Sequence, residues 1–158
     1  MDLNDSRAFA QFDPQNMLGE IDLLPNQLET AWELGQRLPL PAWEGIERVV
    51  VAGMGGSAIG ADLLAAYALP QCAAPVLIHR DYDLPAWARG PRTLAIVSSH
   101  SGDTEETLTA FEIAIQQDCL CLAISTGGKL TQDSRAAGVP VWNFAHQGQP
   151  RAAVGYSF

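Results

Sequence analysis

The chain has 158 residues, enough for one domain that buries its own core without a metal or disulfide staple. Eighteen acidic against nine basic side chains give a formal charge of −9, and with no Lys/Arg cluster that balance argues against nucleic acid as a partner. No stretch of 18 uninterrupted apolar residues is present to span a membrane, and the start, MDLNDSRAFAQFD, is too acidic and polar for a signal peptide. The expected compartment is the cytoplasm.

Residues 1–45 read as a helical segment. Leu18, Ile21, Leu24, Leu28, Ala31 and Leu34 recur at three- and four-residue spacing, Pro25 suits a first helical turn, and Pro39 and Pro41 end the region. Residues 46–158 then alternate strand, loop and helix. Strands are expected at 48–52, 75–79, 93–98, 120–124 and 139–142. Helices are expected at 57–69, with a stripe of Ile59, Leu63, Leu64 and Tyr67; at 104–117, with Leu108, Phe111 and Ile115 buried; and at 130–137. Such a succession predicts a three-layer α/β/α sandwich around a five-stranded parallel sheet, with the helical segment packing on it. The tail, NFAHQGQPRAAVGYSF, reads as loop or extended chain without a terminal helix, as if a further element should follow. Cys72, Cys119 and Cys121 have no zinc spacing and read as small hydrophobes.

Three loops leave the carboxyl ends of strands, where parallel sheets bind ligands. The first, GMGGSAIG at 53–60, turns a strand into a helix that opens near Gly55, Gly56 and Ser57. It offers bare backbone N–H groups to an anion, either a dinucleotide pyrophosphate or a sugar phosphate. Gly53, Gly55 and Ala58 fit the relaxed dinucleotide spacing, and Arg80 is placed to meet a 2′-phosphate. The second loop sets Ser98, Ser99, Ser101 and Thr104 around Gly102, a hydroxyl nest suited to a phosphate dianion. Asp103 with Glu106 three residues later also has capping-box spacing, and both readings are compatible. The third, STGGK at 125–129, frames the cleft, and Lys129 is a candidate positive charge. Arg151, in a glycine- and proline-bounded loop, is suited to stabilise charge developing on sugar or enolate oxygens. His100, between Ser99 and Ser101, has no assigned role, and no pair of carboxylates is set for acid/base work.

GMGGSAIGADL, SSHSGDTEETL, ISTGGKL and QPRAAVGYSF, in this order, resemble the amino-terminal half of the bifunctional phosphoglucose/phosphomannose isomerases, which carry sugar isomerase (SIS) domains. The likeness runs from about residue 19 to residue 158. It implies an SIS fold, two such domains in tandem and a homodimer. It also implies aldose–ketose isomerisation of glucose 6-phosphate or mannose 6-phosphate with fructose 6-phosphate, through a cis-enediolate and without cofactor or metal. Gly55, Gly56 and Ser57 would line the cleft, Ser99, Ser101 and Thr104 would hold the phosphate, and Arg151 would steady the enediolate. The glutamate, histidine and lysine of proton transfer belong to the family's second half, so this chain alone is expected to lack isomerase activity. His100 stands where the family usually has tyrosine, and Asp103 where it usually has asparagine. A sugar-phosphate-binding regulatory module is the alternative, and an NAD(P)-dependent oxidoreductase a lower one.

Overall fold

A computed structural model describes residue 9 and residues 11–158; the opening of the helical segment expected at 1–45 lies outside the described residues. The parallel sheet comprises β1 (Arg48–Gly53), β2 (Val76–His79), β3 (Thr93–Ser98), β4 (Leu120–Ser125) and β5 (Val141–Asn143). Its five strands lie in the order β2-β1-β3-β4-β5. The helices between them are α3 (Gly55–Ala68), α4 (Glu105–Gln116) and α5 (Gly128–Ala136), preceded by α1 (Met17–Asp22) and α2 (Leu24–Arg37).

The strands form because their apolar runs find cover on both sides. On one face Val50, Ala95, Val97, Cys121 and Ala123 meet Phe111 and Ala114 of α4 and Leu130 of α5. On the other, Val49 and Val51 pack on Ala61 of α3, flanked by Ile78, Leu94 and Ile96. The result is the three-layer α/β sandwich expected from the sequence. The chain leaves β1 toward β2 in one direction, and from β3 proceeds through β4 to β5 in the other. The sheet therefore reverses its winding between β1 and β3, and the loops after these two strands flank that point.

Three sequence expectations change. The stripe assigned to α3 faces largely outward, with Ile59, Leu63 and Tyr67 exposed at 49%, 50% and 63%. Ser57, Ala58, Gly60 and Ala61 face inward instead, because a close helix–sheet approach requires small residues. On α4, Thr107, Ala110, Phe111 and Ala114 form the buried face, while Ile115 is exposed.

The tail, too, is more ordered than the sequence suggests. It forms a 3₁₀ turn at Pro150–Ala152 and a last helical turn, α6 (Val154–Ser157). Gly155 is there for packing: a Cβ would lie 2.7 Å from the Gln27 Cβ on α2. Gly60 serves the opposite side, where a Cβ would lie 2.8 Å from the Ser157 carbonyl oxygen. The tail is thus clamped between α2 and α3.

Candidate functional site

The first loop begins where β1 ends. Met54 precedes the helix in an extended conformation, and Gly55 enters α3 with φ 51, a left-handed value that favours glycine. The N–H groups of Gly55 and Gly56 head the helix, where no carbonyl of its own can accept them. Gly55 is exposed, Gly56 half-buried and Ser57 buried. A Cβ on Gly53 would come within 2.9 Å of the Ser98 carbonyl oxygen, so this loop lies directly against the start of the second. A Cβ on Gly56 would lie 2.7 Å from the Pro150 carbonyl oxygen and 3.1 Å from Arg151 Cα. Glycine here lets the Arg151 segment rest on the helix entrance.

In the second loop the hydroxyls satisfy one another and the backbone. The buried Ser99 Oγ accepts from the Gly102 N–H at 3.0 Å and lies 2.9 Å from Thr104 Oγ1. The exposed Ser101 Oγ accepts from the Asp103 N–H at 3.2 Å. Thr104, not Asp103, precedes α4, and no side chain caps that helix, which corrects the capping-box reading. Asp103 Oδ1 instead accepts the Lys129 N–H at 2.9 Å, in the first turn of α5. A carboxylate there satisfies an otherwise free donor and favours the positive end of that helix.

The third loop is joined to the second by its backbone. Thr126 donates to the His100 carbonyl from its N–H at 3.1 Å and from Oγ1 at 2.7 Å, and the Leu130 N–H donates to the Gly102 carbonyl at 2.8 Å. A Cβ on Gly102, where φ is 79, would stand 1.9 Å from the Gly127 carbonyl oxygen. Gly128 of STGGK answers it, since a Cβ there would lie 2.3 Å from the Ser101 carbonyl oxygen. The Lys129 ammonium turns to Asp133, four residues on, and not to the cleft. Arg80 pairs with Asp62 of α3, which occupies the guanidinium considered for a 2′-phosphate.

Arg151 is exposed, and its Nη1 donates to Gln149 Oε1 at 3.3 Å. The residue that fixes its segment is one the sequence reading missed. Gln27, 4% exposed, donates from Nε2 to the Ala152 carbonyl at 2.7 Å and accepts the Gly155 N–H at Oε1 at 3.2 Å. The available signal was a lone amide among Leu24, Leu28 and Ala31. The structure therefore brings together Gly56 with Arg151, Ser99 with Thr104, and β1 with the start of the hydroxyl loop. The Ser101 hydroxyl and the Arg151 guanidinium each turn onto their own segments. Among the described residues no group of three or more His, Cys, Asp or Glu is placed to hold a metal, and no helix is long and apolar enough to cross a membrane.

No protein-family model matches the chain. Over 136 residues it is 45% identical to a bifunctional phosphoglucose/phosphomannose isomerase of Caldicellulosiruptor bescii, covering 85% of this chain and 40% of that protein. The enzyme of the same description from Thermoplasma acidophilum is 40% identical over 108 residues, 68% of this chain and 32% of its own length. The chain thus spans about 40% or less of these curated relatives. Among solved structures, tagatose-6-phosphate ketose/aldose isomerase from Escherichia coli superposes with a TM-score of 0.56 at 21% identity, over 89% of this chain and 40% of that one. The Vibrio vulnificus NanR protein complexed with ManNAc-6P gives 0.60 at 17% identity, over 96% of this chain and 60% of that one. Both support the fold.

Proposed function

We propose, from the kinship of this chain with the bifunctional phosphoglucose/phosphomannose isomerases, that it supplies the phosphosugar-binding half of a hexose 6-phosphate aldose–ketose isomerase. One observation carries the reading: the entrance of α3 and the hydroxyl loop meet where the sheet reverses its winding, with the Arg151 segment resting on Gly56. Gly55, Gly56 and Ser57 line the cleft in this account, and Ser99, Ser101 and Thr104 bind the phosphate. On binding, these hydroxyls exchange their present partners for phosphate oxygens, and the charge of the ligand strengthens each bond. Arg151 leaves Gln149 and stabilises the negative charge of a cis-enediolate at the reacting carbons. Neither a cofactor nor a metal is part of this scheme, and the setting is cytoplasmic.

Asp103, the carboxylate within the hydroxyl loop, is engaged by the Lys129 N–H. Proton transfer is assigned to a second SIS domain, and the working unit to a homodimer. A groove of about 500 Å³ lined by Leu28, Trp32, Leu64, Tyr67, Trp142 and Phe158 supports an assembly larger than this chain. The same engagement of Asp103 favours a second reading, a binding module without catalysis. Calorimetric titration with fructose 6-phosphate tests the site. Binding is expected for the native chain and should weaken about ten- to 150-fold in Ser101→Ala, which loses one charge-assisted hydrogen bond. Equal affinity in the two proteins, or binding of a nicotinamide dinucleotide in preference, would refute the assignment.

A further inference from the structure

His100 sits in the hydroxyl loop between Ser99 and Ser101, yet its ring belongs to a different contact. Its Nε2 lies 2.9 Å from Nδ1 of His146, and the ring centroids are 5.1 Å apart at near-perpendicular orientation. His146 follows β5 and stands five residues before Arg151. Its side chain is only 7% exposed, and its Nε2 is buried without a hydrogen-bond partner, 3.7 Å from Glu20 Oε2 on α1. Phe144 and Tyr156 complete the surroundings: Phe144 meets the His100 ring edge-on, Tyr156 lies against His146, and the two stack on each other. The groups that face the pair are thus Glu20 from α1, Tyr156 from α6 and the uncharged Phe144.

We propose that His100 and His146 form a hydrogen-bonded strut that sets the hydroxyl loop against the segment carrying Arg151, and that protonation of both rings releases it, so that anion affinity falls in acid. The inference rests on reading these loops as the phosphosugar site. The bond needs one ring nitrogen with a proton and one without. With Glu20 beside Nε2 of His146, that nitrogen carries a proton in the neutral ring, so Nδ1 accepts from His100 Nε2–H. One added proton leaves the bond intact, since a charged ring still donates to a neutral one. Two imidazolium rings have only donors and must separate.

Burial, and next to it the neighbouring His146, hold the His100 pKa below its ordinary value. The depressed value keeps the His100 ring neutral further into acid than an ordinary histidine, so the second protonation, and with it release, comes in acid. The opposing effect is attraction of a phosphate to a charged His100. The His100 ring turns to His146 and Phe144, whereas the Ser99 and Ser101 hydroxyls lie on Gly102, Thr104 and Asp103, which leaves positioning as the larger effect.

The test compares the full chain with His100→Tyr and His146→Phe, using glucose 6-phosphate as the probe at about pH 7.5 and about pH 5. The ligand's own titration cancels in the ratio of native to variant affinity. That ratio should fall about fivefold on acidification, and the two variants should lack this extra loss. A ratio that stays level or rises in acid overturns the proposal. Ring-nitrogen NMR of the ligand-free native protein gives a readout independent of the variants' folding. It should show His146 protonated at Nε2 and unprotonated at Nδ1, with the His100 ring staying neutral further into acid than an ordinary histidine. A His146 Nδ1 that carries the proton, or a His100 that titrates as an ordinary histidine, overturns the strut. Failure to bind any sugar phosphate would instead sink the site assignment, while the spectra would still decide whether the strut exists.

Discussion

Replacing Gln27 by Leu keeps the side chain's approximate size and removes both polar atoms of a buried clamp. Lost are the donation to the Ala152 carbonyl at 2.7 Å and the acceptance from the Gly155 N–H at 3.2 Å. Two net hydrogen bonds contribute about 2 kcal/mol together, and the backbone N–H and carbonyl left unpaired add a desolvation penalty of about 1–3 kcal/mol. The extra apolar surface of leucine returns about 1–2 kcal/mol. The balance is a loss of about 1–4 kcal/mol, concentrated in the tail rather than spread through the sheet. Urea unfolding followed by far-UV circular dichroism measures the global part. Hydrogen exchange measures the local part, and amides of residues 153–158 should exchange about 5- to 1,000-fold faster. Sugar-phosphate affinity should fall as well, because the same segment carries Arg151. Unchanged tail exchange together with a stability change under about 0.5 kcal/mol would refute the clamp.

Asp103→Asn keeps an oxygen for the Lys129 N–H and removes a negative charge beside the proposed phosphate site. Sugar-phosphate affinity should rise about two- to fivefold with little change in stability, and calorimetry showing no gain would contradict this. Gly102→Ala forces a left-handed alanine into the Gly127 carbonyl, so thermal unfolding should show a loss of at least about 2 kcal/mol. Titration with a thiol reagent in native buffer should find one fast cysteine, the exposed Cys72. Burial pushes Cys121 up to about 12 and raises Cys119, so both should react only on unfolding.

The strands could be read from the sequence because each is a short apolar run, and β1, β3 and β4 end in glycine or serine, punctuation from which the site loops also follow. The buried face of α3 could not. Its sequence, GGSAIGADLLAAYA, is apolar nearly all round, so periodicity selects no side, and the small residues that touch the sheet carry the weakest hydrophobic signal. Asp103 misled because its partner amide belongs to a helix 26 residues away, whereas capping-box reasoning considers only the next turn. The tail misled for a related reason: Gly155 reads as a breaker, but a side chain there would strike Gln27. The clamp and the His100–His146 contact join residues 125 and 46 positions apart, beyond the reach of any local pattern.

The most direct test of the phosphosugar site is amide mapping by NMR as glucose 6-phosphate is added to the isotopically labelled chain. Saturable shifts should concentrate at Gly55, Gly56 and Ser57, at Ser99 to Thr104 and around Arg151, and unphosphorylated glucose should not reproduce them. Shifts confined to other surfaces, or equal shifts with glucose, would contradict the account.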